Sequence, residues 1–269
     1  MRILLLSIIL TISTFIYAQD FEVAPVLVNF RAEPGSVEKT TLTIKNYANI
    51  KQKYSLKLSD YTIGEKGAKK GVAAGSTEKS IANWINISPS VVILNPNETT
   101  EVELIITVPK QHYETRWGMI HIKVDNEKLA SDIDNENMAT GVLLVPRIVV
   151  LVKQSPRSNI NYSAKLTNFK QVEIVLDSNN MDRSVYEVTI VNTGDKVIDA
   201  KISLSVADIQ TAEEERFPSK RYTVYPGQTR VVQLQLDKKF IKGKKYALAA
   251  VMDYGHRKSL EGAQLIIEP

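Results

Sequence analysis

Val92-Ile93-Leu94-Asn95-Pro96-Asn97-Glu98-Thr99-Thr100-Glu101-Val102-Glu103-Leu104 returns later in the chain as Tyr222-Thr223-Val224-Tyr225-Pro226-Gly227-Gln228-Thr229-Arg230-Val231-Val232-Gln233-Leu234. Each copy reads as a strand, a tight turn begun by proline, and a second strand. Upstream of each lies another shared phrase, Thr41-Leu42-Thr43-Ile44-Lys45-Asn46 and Tyr186-Glu187-Val188-Thr189-Ile190-Val191-Asn192. Two passes through one strand grammar predict two similar β-domains in tandem. Such a chain is a binding scaffold rather than an enzyme.

Working outward, most signals are strands. Residues 39–45 alternate, with Thr40, Leu42 and Ile44 on one face, as a half-buried strand requires. Polar Asn46-Tyr47-Ala48-Asn49 turns the chain before a return strand at 54–58. Residues 64–80, rich in glycine and lysine, read as a long mobile loop, and 125–137 as an acidic loop. The longest apolar stretch of the mature chain, 142–153, is β-branched and closes the first domain. Pro156 marks the linker. Further strands are expected at 172–176, 184–191, 200–206, 221–225, 229–236, 246–253 and 263–267. Residues 209–216 are a candidate for one helical turn. About seven short strands per domain is the pattern of an immunoglobulin-like sandwich. The expected fold is therefore all-β, two tandem immunoglobulin-like antiparallel β-sandwiches, over residues 19–155 and 156–269.

The remaining residues 1–18 read as a secretory signal peptide. Arg2 precedes a short apolar run ending at Tyr17-Ala18, with cleavage expected after Ala18. No second hydrophobic segment follows, so no integral membrane segment is expected after cleavage. The expected location is the periplasm, with the cell surface as the alternative. The chain has 269 residues, 43% hydrophobic and 24% charged, enough for two cores. Its net charge of +4 is spread among acidic residues, which argues against nucleic acid as a partner. There is no cysteine, so neither disulfides nor thiol catalysis enter.

Little else carries chemistry. His112, His121 and His256 lack metal-ligand spacing, and His121, between Ile120 and Ile122, is expected to face solvent. No nucleophile elbow or phosphate loop is present. Asp132-Ile133-Asp134-Asn135-Glu136 echoes a calcium loop but lacks its glycine and distal glutamate. No catalytic residue, metal or cofactor is expected. Two features suggest a binding surface. Strand 142–153 is apolar on both faces, which fits either a buried central strand or an edge open to a partner strand. Pro146 favours an edge or a bulge. The basic stretch Lys66 to Lys70 is either a solvated loop or a contact for an acidic polymer or lipid headgroup.

The run Glu33-Pro34-Gly35 to Asn46, then Ile87-Ser88-Pro89, Leu94-Asn95-Pro96-Asn97-Glu98, and the strand ending at Ile148 to Lys153 before Pro156, resembles the periplasmic pilus-assembly (PapD-like) chaperones. That resemblance implies a non-enzymatic protein that lends an incomplete pilus or envelope subunit its last first-domain strand. It also implies an arginine and a lysine that hold the subunit's carboxylate in the cleft between domains. Counted from Gly35, the arginine's place falls on Phe30, beside Arg31; counted from Lys153, the lysine's place falls on Val149. Arg31, Arg147 and Lys153 are therefore the candidate anchors, and Val145, Ile148, Val150 and Val152 the candidate groove-filling side chains. Residues 96–120 are similar to the first domain of WxL-interacting cell-surface proteins, which implies a peptidoglycan-binding module or a structural subunit of an envelope complex as the alternative.

Overall fold

In a computed structural model, the residues described are 20–125, 145–176, 182–256 and 259–269. The expected signal peptide, residues 142–144 of the apolar strand, the acidic calcium-like stretch and most of the loop 125–137 lie outside them. Among the described residues there is no helix, only strands joined by turns.

The first sandwich has a sheet ordered β1 (Phe21–Ala24), β3 (Val37–Asn46), β8 (Thr99–Thr107), β6 (Ile85–Ser88). Facing it is a sheet ordered β2 (Leu27–Phe30), β10 (Arg147–Gln154), β9 (Arg116–Val124), β4 (Gln52–Ile63), β5 (Lys69–Val72), with β7 (Val91–Leu94) also on β4. Alternation sets the layers: Leu42, Ile44, Val102, Leu104 and Ile106 from one sheet meet Tyr54, Ile120, Ile122, Val150 and Val152 from the other in one core. The chain changes sheets at Ala24-Pro25, so β1 pairs antiparallel with β3 while β2 runs parallel to β10.

The second sandwich pairs a sheet of β11 (Ala164–Leu176), β12 (Asp182–Asn192), β16 (Thr229–Asp237) with one of β14 (Glu214–Arg216), β13 (Ile198–Asp208), β17 (Tyr246–Asp253), β18 (Glu261–Ile267). β15 (Lys220–Val224) also pairs with β13. Residues 209–211 form a turn and β14 follows, so the helix candidate is corrected to a turn and a strand. A helix there would have left the ladder between β13 and β14 unmade.

The repeated phrases have a shared physical cause. Asn46 is fully buried, and its amide donates to the carbonyls of Ile50 at 2.9 Å, Leu94 at 3.2 Å and Asn95 at 3.1 Å. Its Oδ1 accepts from the Tyr54 hydroxyl and the Ala48 backbone N–H. Asn192 does the same in the second domain, donating to Lys196 O at 2.8 Å and Val224 O at 2.9 Å and accepting from Gly194 N–H. Each asparagine fastens its own turn to the proline turn of the other phrase. The proline turns match too: Glu98 accepts from Asn95 N–H and Gln228 from Tyr225 N–H. The position after proline takes a positive φ, 61° at Asn97 and 71° at Gly227.

The first half of the stretch expected to be a long mobile loop, 64–72, is instead the turn and second strand of the hairpin β4–β5, docked on the second domain, while 73–80 are turns. Glu65 O accepts from Val231 N–H at 2.9 Å, and Gly64 O from the Gln228 amide at 3.1 Å. Tyr61, Trp117, Met119 and Tyr225 form a small buried core between the domains, with the Tyr61 and Tyr225 hydroxyls 2.8 Å apart. The linker is equally fixed: Thr193 and Gly194 N–H donate to Ser163 O, and Asp195 N–H to Asn161 O. A methyl group at Gly194 would meet Asn161 O at 2.5 Å and Ser163 N at 2.6 Å, both backbone. Gly194→Ala is therefore expected to lower stability by about 2 kcal/mol, measured by denaturant titration, because neither backbone atom can give way.

Candidate functional site

The site is built on β10. Its register against β9 runs from Arg147 opposite Lys123 to Gln154 opposite Arg116, so one side is paired throughout. On the other side β2 pairs only Leu151 to Gln154. Among the described residues no strand pairs with that side of Arg147 to Val150. β10 is thus central along its second half and an open edge along its first, and both sequence-level alternatives apply, each to half the strand. Leu151 N–H donates across to Val26 O and Ser155 N–H to Phe30 O, both on the β2 side. By strand alternation the N–H groups of Arg147 and Val149 point to that same side, where the edge is open.

The side chains divide by the same alternation. Val150 and Val152 are 0% exposed and belong to the core, with Ile148 packed partly against it. This corrects their expected role, since side chains filling this domain's own core cannot reach into a partner's groove. Val149 and Val145 are exposed, as is Arg147. A strand apolar on both faces gives no periodic signal for which face is inside. The outward row of the sheet holds Arg147, Val149, Leu151 and Lys153 on β10, beside Lys123, His121, Met119 and Trp117 on β9. His121 is half-buried rather than solvent-facing: its Nε2 lies 2.7 Å from the Ser59 hydroxyl, and burial, then Arg147, lowers its pKa.

At its far end the same outward row enters a cavity of about 970 Å³ between the domains. Leu27, Asn29, Phe30 and Arg31 line it from β2 and the residue after it, while Val28 is buried in the core. Lys153 stands opposite Asn29 in the parallel pair and joins them. Arg31 and Lys153, far apart in sequence, therefore face one space. Arg147 does not: it lies at the other end of β10 and is absent from the cavity lining.

Three contributors were not legible beforehand: Arg157 in the linker, Lys196 in the turn held by Asn192, and the Tyr225 ring. Lys196 occupies the place that Ile50 takes in the first copy, since each backbone carbonyl accepts from its domain's asparagine. The repeat could have flagged that turn, though not its cation. Lys196 Nζ donates to Ser155 Oγ and Pro156 O, both at 3.1 Å. Burial lowers its pKa, Arg31 lowers it further, and Glu33 acts the other way. Lys153 is also lowered by burial, with Asp199 opposing and Lys69 adding to the fall. Its ammonium sits 5.6 Å above the Tyr225 ring.

A second charged cluster flanks the site. Glu114 accepts from Arg116 at 2.6 Å and pairs with His112 at 2.9 Å, while the Arg116 guanidinium lies over the Trp84 ring. Burial pushes the Glu114 carboxyl up, but the Arg116, backbone and His112 hydrogen bonds outweigh it and hold its pKa at about 2. A depressed carboxyl pKa stabilises the fold above its unfolded value and loses that contribution as pH falls towards about 2. Glu114→Gln is expected to cost about 1–2 kcal/mol at pH 7, after screening of a partly exposed pair, and much less near pH 2. Denaturant titrations at both pH values check this.

Among the described residues no group of three or more acidic, histidine or cysteine side chains could hold a metal, and no helix is long and apolar enough to cross a membrane.

No family model matches this chain, and no curated protein matches it. Solved structures similar to it include fimbrial chaperones and a PapD-like domain of human CEP192. A chaperone–tip adhesin complex of CFA/I fimbriae biogenesis shares 11% identity over 93% of this chain and 100% of that one, with a TM-score of 0.49. The class 5 fimbriae chaperone CfaA shares 12% over 93% and 99%, at 0.48. The E. coli chaperone DraB shares 13% over 91% and 98%, at 0.42.

Proposed function

We propose that this chain is a non-enzymatic, chaperone-like protein of the bacterial periplasm that holds a pilus or envelope protein subunit by strand pairing. The subunit's strand adds to the open half of β10, taking hydrogen bonds from the N–H groups of Arg147 and Val149. Its side chains pack beside Val145 and Val149, while its terminal carboxylate reaches Arg31 and Lys153. One observation carries this reading: a single strand has an edge at Arg147 to Val150 that no strand among the described residues pairs with and, on the same outward row, delivers Lys153 into the cationic cleft with Arg31. An open edge of this kind promotes aggregation unless something regularly covers it. Unpaired backbone donors match a polypeptide strand better than a glycan, which supports a protein partner over peptidoglycan.

The test is purification of the tagged chain from its own bacterium, with mass spectrometry of what accompanies it. Val149→Pro removes a donor on the open side and leaves the β9 ladder intact, so the protein is expected to fold but to lose its companion. A companion retained at full yield by that variant would sink the strand-pairing mechanism.

A further inference from the structure

The cavity holds more positive charge than one terminal carboxylate would use. Arg31, Lys153, Arg157 and Lys196 line it against the single carboxylate of Asp199, a formal excess of four minus one, +3. The cations come from both domains: Arg31 and Lys153 from the first, Arg157 from the linker and Lys196 from the second.

These charges are only partly offset by neighbours within the fold: Glu33 acts on Arg157 and Lys196, and Asp199 on Lys153. Glu33, outside the lining, is held ionised by the Ser158 N–H at 2.9 Å and the Ser158 hydroxyl at 2.5 Å, and counting it reduces the excess to four minus two, +2, the charge of two client carboxylates. Asp199 shares its Oδ1 with the Thr223 hydroxyl at 2.7 Å. Arg31 and Lys196 repel one another, and Lys69 repels Lys153. Like charges held together in a half-buried space raise the free energy of the empty protein, and a bound anion relieves it. A single carboxylate at Arg31 and Lys153 would leave Arg157 and Lys196 sharing Glu33 alone.

We infer that the cleft is a two-carboxylate site, in which Arg157 and Lys196 hold an acidic side chain close to the C-terminus of the bound segment, beyond the terminal carboxylate held by Arg31 and Lys153. The inference rests on the proposed capture of a subunit's C-terminus and specifies its chemistry. The acceptable segment ends in a free carboxylate and carries an aspartate or glutamate within its last few residues. The second domain thereby selects among clients, and because the two carboxylates engage cations from both domains, binding also ties the domains together.

The test uses N-acetylated pentapeptides of valine and serine with aspartate or asparagine next to the C-terminus, each as free acid and as C-terminal amide. Binding to the full chain is measured by isothermal titration calorimetry at low salt. The aspartate free acid is expected to bind about tenfold more tightly than the asparagine free acid, equal to about 1.4 kcal/mol. The variant Arg157→Gln with Lys196→Gln is expected to bind those two peptides alike while still preferring free acid to amide. Glutamine retains a donor for Ser155 and Pro156, and an unchanged unfolding midpoint confirms that the turn is intact. Equal affinity of the wild-type chain for the aspartate and asparagine free acids, with free acid still preferred over amide, would overturn this inference and leave the proposed function standing. Equal affinity for free acid and amide would instead strike the terminal-carboxylate reading beneath it.

Discussion

Replacing Asn46 with alanine is expected to destabilise the first domain by about 3 kcal/mol, lowering its thermal midpoint by roughly 10 °C. The expectation follows from what is left behind. The Leu94 and Asn95 carbonyls and the Tyr54 hydroxyl lose partners, and Tyr54 and Leu94 are buried where water does not replace them. Each uncompensated buried polar group costs about 1–3 kcal/mol. The same change at Asn192 strips Val224 O and Lys196 O in the second domain, with a somewhat smaller loss because fewer bonds are made. Denaturant titration of each variant, with an unchanged slope, checks the pair. A loss below about 0.5 kcal/mol at Asn46 would mean that the repeated turn is held by strand pairing alone.

The second large effect concerns the cleft. Arg31→Gln with Lys153→Gln is expected to weaken capture of the subunit by about a hundredfold, since two charge-assisted contacts of about 1.5 kcal/mol each would be lost. Stability is expected to hold or rise, because Lys153 is charged in a buried setting beside Lys69 and Arg31 faces Lys196. Weaker binding with undiminished stability is the signature of cations kept for a ligand rather than for the fold. A variant that loses stability and retains its companion would assign these cations a structural role.

Much of this was written in the sequence, for identifiable reasons. The two copies of the proline-turn phrase were legible because each must fit a buried asparagine, Asn46 or Asn192, and that requirement leaves the same residue types in the same order. The positions of most strands of the first domain followed from alternation and turn chemistry. The faces of β10 did not. Val145, Val149 and Leu151 are as apolar as Ile148, Val150 and Val152, and only the packing of β9 and β2 decides which set is inside. The docked hairpin was also hidden. Its glycines and lysines describe a solvated loop, yet it is held by the backbone oxygens of Gly64 and Glu65 and by aromatic contacts to Tyr225, distant in sequence. The Arg31 and Lys153 anchors were named from resemblance although neither fell in register. Parallel pairing of β2 with β10 brings them to one cavity, while Arg147 is carried to the opposite end of the strand.

The most direct test of the central claim is amide hydrogen exchange at single-residue resolution across 145–154, in the chain alone and in the complex purified with its companion. The Leu151 amide, already bonded to Val26 O, is expected to be protected in both. The Val149 amide, open to the unpaired side, is expected to exchange quickly in the free chain and to slow by at least about a hundredfold in the complex. A Val149 amide that exchanges equally fast in both would show that the companion binds elsewhere, and that β10 lends it no strand.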